Sequence, residues 1–175
     1  ARPKMMGLQL DLSKTKDLPR EQTEQQLRAE KLKRYETECT KVTDYMFVGG
    51  IHVAQNKDLL VGVGITHIVN CAGITTDDFF PESFTYKTLF INDEPSENLV
   101  PHMYDVLELI DEVKRAGNKV LVHCTQGVSR SCSLCIAHLM LSERIGYDEG
   151  YRAVKARRGI CNPNAGFSSQ LILWG

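Results

Sequence analysis

The stretch "VLVHCTQGVSRSCSL", Val120 to Leu134, decides the reading of the chain. "KVLVH" is a short, continuous apolar run, which predicts a strand buried on both faces, central in a parallel sheet. From Arg130 to about Ser142 the apolar residues predict a helix. Between them lies a loop of small and polar residues, "CTQGVSR", with a thiol at one end and a guanidinium at the other. Open α/β sheets bind ligands outside the carboxyl ends of their strands. A tight loop entering a helix N-terminus at that place points several backbone N–H groups inward, and the helix dipole reinforces them. Gly127 permits a backbone turn that a side chain would hinder. Arg130 adds a planar fork suited to two oxygens of a tetrahedral oxyanion. Cys124 stands at the base of this nest, where the same donors favour thiolate over thiol. On this reading the cysteine is a nucleophile facing a phosphorus, and the arginine holds what is attacked.

Attack of that kind leaves a phosphocysteine and an alkoxide or phenoxide. The leaving oxygen needs a proton, so a carboxylic acid is expected on another loop. Asp93, in "FINDEPSEN" after a predicted strand, is the candidate, with Glu94 and Glu97 as the neighbouring alternatives.

Outward from the loop, strands alternate with helices. "YMFVGG", "THIVNCAG" and "FTYKTLFI" read as strands bounded by glycines or polar loops. Helical spacing predicts helices over 52–61, over "LVPHMYDVLELIDEVKRAG", from Asp148 to about Arg157, and after "GICNPNAGF" to the end. The pattern is that of an α/β layered domain. Arg20 to about Glu38 is rich in helix formers but carries only Leu27, Leu32 and Tyr35 as an apolar stripe, so it reads as a weakly docked helix. Residues 1–40 are therefore expected to be a partly helical extension, and residues 41–175 the compact domain.

The chain has 175 residues, 42% hydrophobic and 25% charged, enough for a core that needs neither disulfides nor metals. A formal net charge of -1 gives no pull towards nucleic acid or acidic lipid. No apolar run approaches the length of a membrane span, and the first thirty residues hold no secretory apolar segment. The six cysteines, Cys39, Cys71, Cys124, Cys132, Cys135 and Cys161, lie mostly in apolar segments and read as buried free thiols of a reducing compartment, cytoplasmic or nuclear. A zinc site on His123, Cys124, Cys132, Cys135 and His138 is the rival reading. It is disfavoured because the last three fall on a helix whose apolar face must be buried, and zinc would sequester the thiolate beside Arg130.

"HCTQGVSRS" resembles the His-Cys-x5-Arg-Ser loop of cysteine-dependent protein phosphatases, and its Gly-x-Ser-Arg-Ser ending resembles the dual-specificity branch. "YMFVGG", "GITHIVNCAG", "INDEPSENL" and "NPNAGFSSQL" resemble, in order, that branch's first strand, next strand, acid loop and last helix start. The resemblance, closest to MAP kinase phosphatases, runs from about Val42 to the end. It implies a protein tyrosine phosphatase-like α/β fold with about five mostly parallel strands flanked by helices. It implies hydrolysis of phosphotyrosine and phosphothreonine or phosphoserine without metal or cofactor. Cys124 is then the nucleophile, Asp93 the general acid, and Ser131 the hydroxyl that aids departure of the thiolate. Thr125, Gln126, Gly127, Val128, Ser129 and Arg130 bind phosphate. His123, Asn70 and Asn164 are supporting residues.

Lipid-directed members of the family tend to carry lysines within the loop, and here no basic residue precedes Arg130, so the resemblance disfavours a lipid substrate; the same chemistry on a non-protein phosphate, a phosphoinositide, a glucan or a nucleotide, is the alternative function. A catalytically dead scaffold is a further reading, disfavoured because Cys124, Arg130 and Asp93 are all present. Within "RPKMMGLQL", Arg2, Lys4, Leu8 and Leu10 resemble a MAP-kinase docking segment, Arg2–Leu10, and so imply a phosphoprotein partner of that class. Cys71, at the end of a strand expected beside "KVLVHC", is the candidate redox partner of Cys124.

Overall fold

Short runs of β-branched and apolar residues build the sheet, and the computed structural model describes the chain over residues 23–175. The strands are β1 (Thr40–Lys41), β2 (Met46–Gly49), β3 (His67–Asn70), β4 (Thr85–Thr88) and β5 (Val120–His123). Their order is β1-β2-β5-β3-β4, with β5 in the centre. All pairs are parallel except β1 with β2. Met46 and Val48 stand beside Val120 and Val122, and Asn70 beside His123, so β2, β3 and β5 end level at one edge.

Alternation along the strands sends side chains to two apolar layers. Met46, Val48, Val69, Val120 and Val122 face one layer, with α4 (Val100–Arg115), α5 (Arg130–Glu143), α6 (Tyr147–Arg157) and α7 (Ala165–Trp174). Phe47, Ile68 and Leu121 face the other, with α2 (Ile51–Ala54) and α3 (Lys57–Val63). The protein is thus an α/β fold of a mostly parallel five-stranded sheet flanked by helices. Helix α4 buries Met103, Val106, Leu107, Ile110 and Val113, each stabilising by about 1.5–3 kcal/mol relative to exposure. Helix α5 is buried without a break from Arg130 to Met140, because the sheet, α4, α6 and α7 enclose it, and only its last turn is exposed.

Two expectations from sequence need correction. The single helix over 52–61 is two short ones, because the Asn56 side chain accepts the Leu59 N–H and restarts the chain as α3. The extension reaches into the sheet, since Thr40 belongs to β1. Ahead of it, α1 (Glu24–Glu36) begins with a capping box between Thr23 and Gln26 and buries none of its residues. The segment Arg2–Leu10 lies outside the described residues. No helix among the described residues is long and apolar enough to cross a membrane.

Candidate active site

The loop 124–130 leaves the carboxyl end of β5 and enters α5. A trans peptide points its carbonyl and its N–H in opposite directions, so whatever binds a carbonyl from outside aims the next N–H inward. The loop uses this four times in succession. Ile51 N–H binds the Thr125 carbonyl at 2.9 Å. Arg158 binds the Gln126 carbonyl through Nη2 at 3.1 Å and the Gly127 carbonyl through Nε. Asn162 N–H binds the Val128 carbonyl at 2.8 Å. Four consecutive amides, from Gln126 to Ser129, are left facing the hollow, and Gly127 N–H reaches Cys124 Sγ at 3.2 Å. Gly127 has φ 66°, and a Cβ there would collide with the Gly49 carbonyl and with Arg158.

Cys124 is 2% exposed, at the bottom of the hollow. Its sulfur lies 3.2 Å from Ser131 Oγ, on the first turn of α5. Arg130 is buried and bends over the loop: Nη2 donates to Thr125 Oγ1 at 3.0 Å, and Nη1 donates to the Ile91 carbonyl at 3.3 Å. Its Nε has no hydrogen-bond partner among the described residues. Asp93 Oδ2 lies 3.9 Å from that Nε.

Asp93 is held by the opening of α7. Asn164 donates from Nδ2 to Asp93 Oδ1 at 3.0 Å, caps α7 by accepting the Phe167 N–H, and donates its own N–H to Ser129 Oγ. Gln170 donates to the Glu97 carbonyl and accepts the Leu99 N–H, both at 2.8 Å. Gly166 lies so close to the Pro95 carbonyl that a Cβ would overlap it. The start of α7 therefore sets the height of the acid loop over Cys124. Of the alternatives to Asp93, Glu97 has its carboxylate bound to the Asn92 N–H at 2.9 Å, which holds it below the usual carboxylate range.

The supporting residues separate. His123 places Nδ1 at 3.4 Å from the Cys124 carbonyl, and burial lowers its pKa to about 4, so the ring is neutral. Asn70 was expected to hold the loop. Its side chain instead bonds Thr76, Asp78 and Ala72, and so shapes the turn after β3. Cys71 is buried at the same edge, with its N–H on the His123 carbonyl and its own carbonyl facing Arg130; burial, then proximity to Cys124, raises its thiol well above the ordinary value. His138 and Cys132 bond Tyr45 and the Gly127 carbonyl, and among the described residues no cluster of metal-ligand type occurs.

Sequence reading missed Arg158 and Gln170. Arg158 stands at the C-cap of α6, four residues after the buried Val154, and the sequence alone does not separate it from its exposed neighbour Arg157.

A family model described as "Dual specificity phosphatase, catalytic domain" matches residues 46–175. The chain belongs to this family. It is 41% identical to Protein-tyrosine-phosphatase MKP1 of Arabidopsis thaliana, over 94% of this chain and 21% of that protein. It is 33% identical to Dual specificity protein phosphatase 1 of Homo sapiens, over 75% of this chain and 36% of the relative. The chain thus spans about a fifth to two-fifths of the length of these curated relatives. Among solved structures, the human tyrosine phosphatase-like serine/threonine/tyrosine-interacting protein superposes with TM-score 0.76 at 33% identity, covering 79% of this chain and 95% of that one. DUSP15 superposes with TM-score 0.74 at 30% identity, covering 77% and 85%.

Proposed function

We propose that the chain is a dual-specificity protein phosphatase that removes phosphate from tyrosine and from threonine or serine through Cys124. The observation that carries the reading is one constellation: a buried sulfur facing one N–H and one hydroxyl at 3.2 Å, beneath a ring of inward amides, with Asp93 beside Arg130. Inward amides and the Arg130 fork bind the three terminal oxygens of the phosphoryl group and the charge that develops on them. The Cys124 thiolate attacks phosphorus in line as the P–O bond to the substrate breaks, and Asp93 gives its proton to the departing oxygen. Asp93, now a carboxylate, takes a proton from water as the water attacks the phosphocysteine. Ser131 Oγ–H donates to the sulfur as it leaves, and inorganic phosphate and free enzyme result.

Two clefts border the loop, and neither is lined by Cys124, Arg130 or Asp93. One of about 520 Å³ lies between α1 and the loop, lined by residues that include Leu27, Arg28, Lys31, Gln126 and Val128. Another of about 370 Å³ lies on the other side of Leu32 and Gln126, against His52 and Thr125. The substrate we favour is a MAP kinase, on the resemblance of the loop and its flanking motifs to MAP kinase phosphatases and on the segment Arg2–Leu10. Deleting residues 1–10 is then expected to slow dephosphorylation of the kinase and to spare a small aryl phosphate; equal loss on both would remove the docking role. Cys71 is proposed as the thiol that condenses with a Cys124 sulfenic acid after peroxide, releasing water and forming a disulfide. Peptide mapping tests this, and sulfinic Cys124 with no linked Cys71 would refute it.

The deciding experiment is phosphate release, with chelator and reductant present, from a MAP-kinase activation-loop peptide phosphorylated on both Thr and Tyr. An aryl phosphate runs beside it, with Cys124→Ser as control. Loss of both phosphates, abolished by the substitution, is the expected result. Turnover of the aryl phosphate alone would move the substrate to a non-protein phosphate, and no turnover of either would refute the enzyme reading.

A further inference from the structure

We propose that Arg158 is a positioning residue of the phosphate loop and that, through it, helix α1 becomes part of the support of the site. The inference rests on the phosphatase reading of that loop.

Arg158 is fully buried, and among the described residues it forms no ion pair with a carboxylate. A buried cation in that position is costly unless every donor is satisfied. A guanidinium has five N–H groups, and here five acceptors meet them. Two are the Gln126 and Gly127 carbonyls. The other three come from the chain before β2: the Tyr35 carbonyl at 3.3 Å, the Glu38 carbonyl at 3.3 Å and Thr40 Oγ1 at 2.9 Å. The Tyr35 ring also lies 5.3 Å from the guanidinium carbon, within range of a cation–π contact. Tyr35 closes the last turn of α1, where unpaired carbonyls carry the negative end of the helix dipole. The counter-charge of Arg158 is therefore the C-terminus of α1 and the backs of two loop peptides, in place of a carboxylate.

One planar group thus fixes two consecutive peptides of the loop. Binding the Gln126 carbonyl aims Gly127 N–H at the Cys124 sulfur, and binding the Gly127 carbonyl aims Val128 N–H into the same hollow. If either peptide flipped, a carbonyl oxygen would replace an N–H donor at the phosphate. The family match begins at residue 46, so three of the five groups that hold Arg158 in place lie outside it. These three groups reach the chemistry from behind the loop, through Arg158 at the C-cap of α6.

The test uses the 175-residue chain, with orthovanadate as the phosphate-shaped probe and an unhindered aryl phosphate as substrate, at temperatures well below each variant's melting midpoint. Arg158→Met is expected to weaken vanadate inhibition by about 10- to 100-fold, with kcat/KM falling in parallel. Arg158→Lys keeps the charge but loses the fork and is expected to lose about 3- to 10-fold. Tyr35→Ala, remote from the substrate, is expected to lose about 2- to 5-fold. A side chain that merely filled the core would lower the melting midpoint and leave vanadate affinity of the folded protein unchanged. Vanadate affinity within about two-fold of wild type in folded Arg158→Met would overturn the proposal. If Arg158→Met does not fold, Tyr35→Ala and Arg158→Lys decide, and unchanged affinity in both overturns it. Wild-type protein that neither turns over the aryl phosphate nor binds vanadate would overturn the phosphatase reading, a failure distinct from wild-type activity with indifferent variants.

Discussion

Arg130 and Arg158 are both buried, and they stand on opposite sides of the same seven-residue loop. In front, Arg130 makes bonds of 3.0, 3.3 and 3.5 Å and keeps Nε without a partner among the described residues, facing the acid Asp93. Behind, Arg158 spends all five N–H groups on acceptors of the protein itself. The contrast teaches how one residue type serves two ends. A guanidinium with a donor left over can take a ligand, while a saturated one holds backbone in place. Backbone amides make an oxyanion site only if their carbonyls are tied down elsewhere, so the back of the loop matters as much as its front.

The sharpest way to break this contrast is to make the same substitution on both faces. Arg130→Lys is expected to lower kcat/KM on an aryl phosphate by about 10²- to 10³-fold while leaving the melting midpoint nearly unchanged. Arg158→Lys is expected to do the reverse in proportion, with a small kinetic loss and a clear loss of stability. Steady-state kinetics beside thermal melts read both, and matching losses for the two variants would erase the distinction.

A smaller effect tests the base of the loop. Burial holds the pKa of His123 at about 4, below the ordinary value near 6.5. Between those values the unfolded chain takes up a proton that the folded protein refuses, so stability falls as pH drops through this window, by about 3 kcal/mol at most. His67 and His138, also shifted down by burial, act in the same direction. Urea unfolding from pH 7 to pH 4 should show the decline, and His123→Gln should flatten it. An equally steep decline in that variant would place the proton elsewhere. The smallest effect belongs to the link between the faces: Asn164→Ala removes the cap of α7 and the bond to Asp93. It should cost about 1 kcal/mol of stability and several-fold in kcat, whereas a change in stability alone would separate the cap from the acid.

The front of the loop was legible in the sequence because its parts are local. An apolar strand, a Cys-x5-Arg spacing and a helix start lie within fifteen consecutive residues, Val120–Leu134, and the central place of β5 followed from its unbroken apolar run. The back was not legible, because it is assembled from afar. Arg158 meets Gly127 across 31 positions and Tyr35 across 123. In "ARRGI" nothing but burial separates Arg157, which is exposed, from Arg158, which is not. Asn164 was singled out as a support, yet its bond to Asp93 spans 71 residues, and only the fold brings those two loops together. Asn70 misled for the same reason in reverse, since its side chain turns to a local turn at 72–78 and not to the loop its strand approaches. Strand β1, two residues long, is too short to carry a period of two.

The central claim is that Cys124 carries the phosphoryl group. Its most direct test is acid quench of the enzyme during turnover of an aryl phosphate, followed by peptide mass spectrometry of the segment around residue 124. The account predicts a phosphate adduct on Cys124, absent in Cys124→Ser and accumulating when Ser131→Ala slows departure of the sulfur. Full turnover in Cys124→Ser, or turnover by the wild type with no adduct on Cys124 at any quench time, would contradict it.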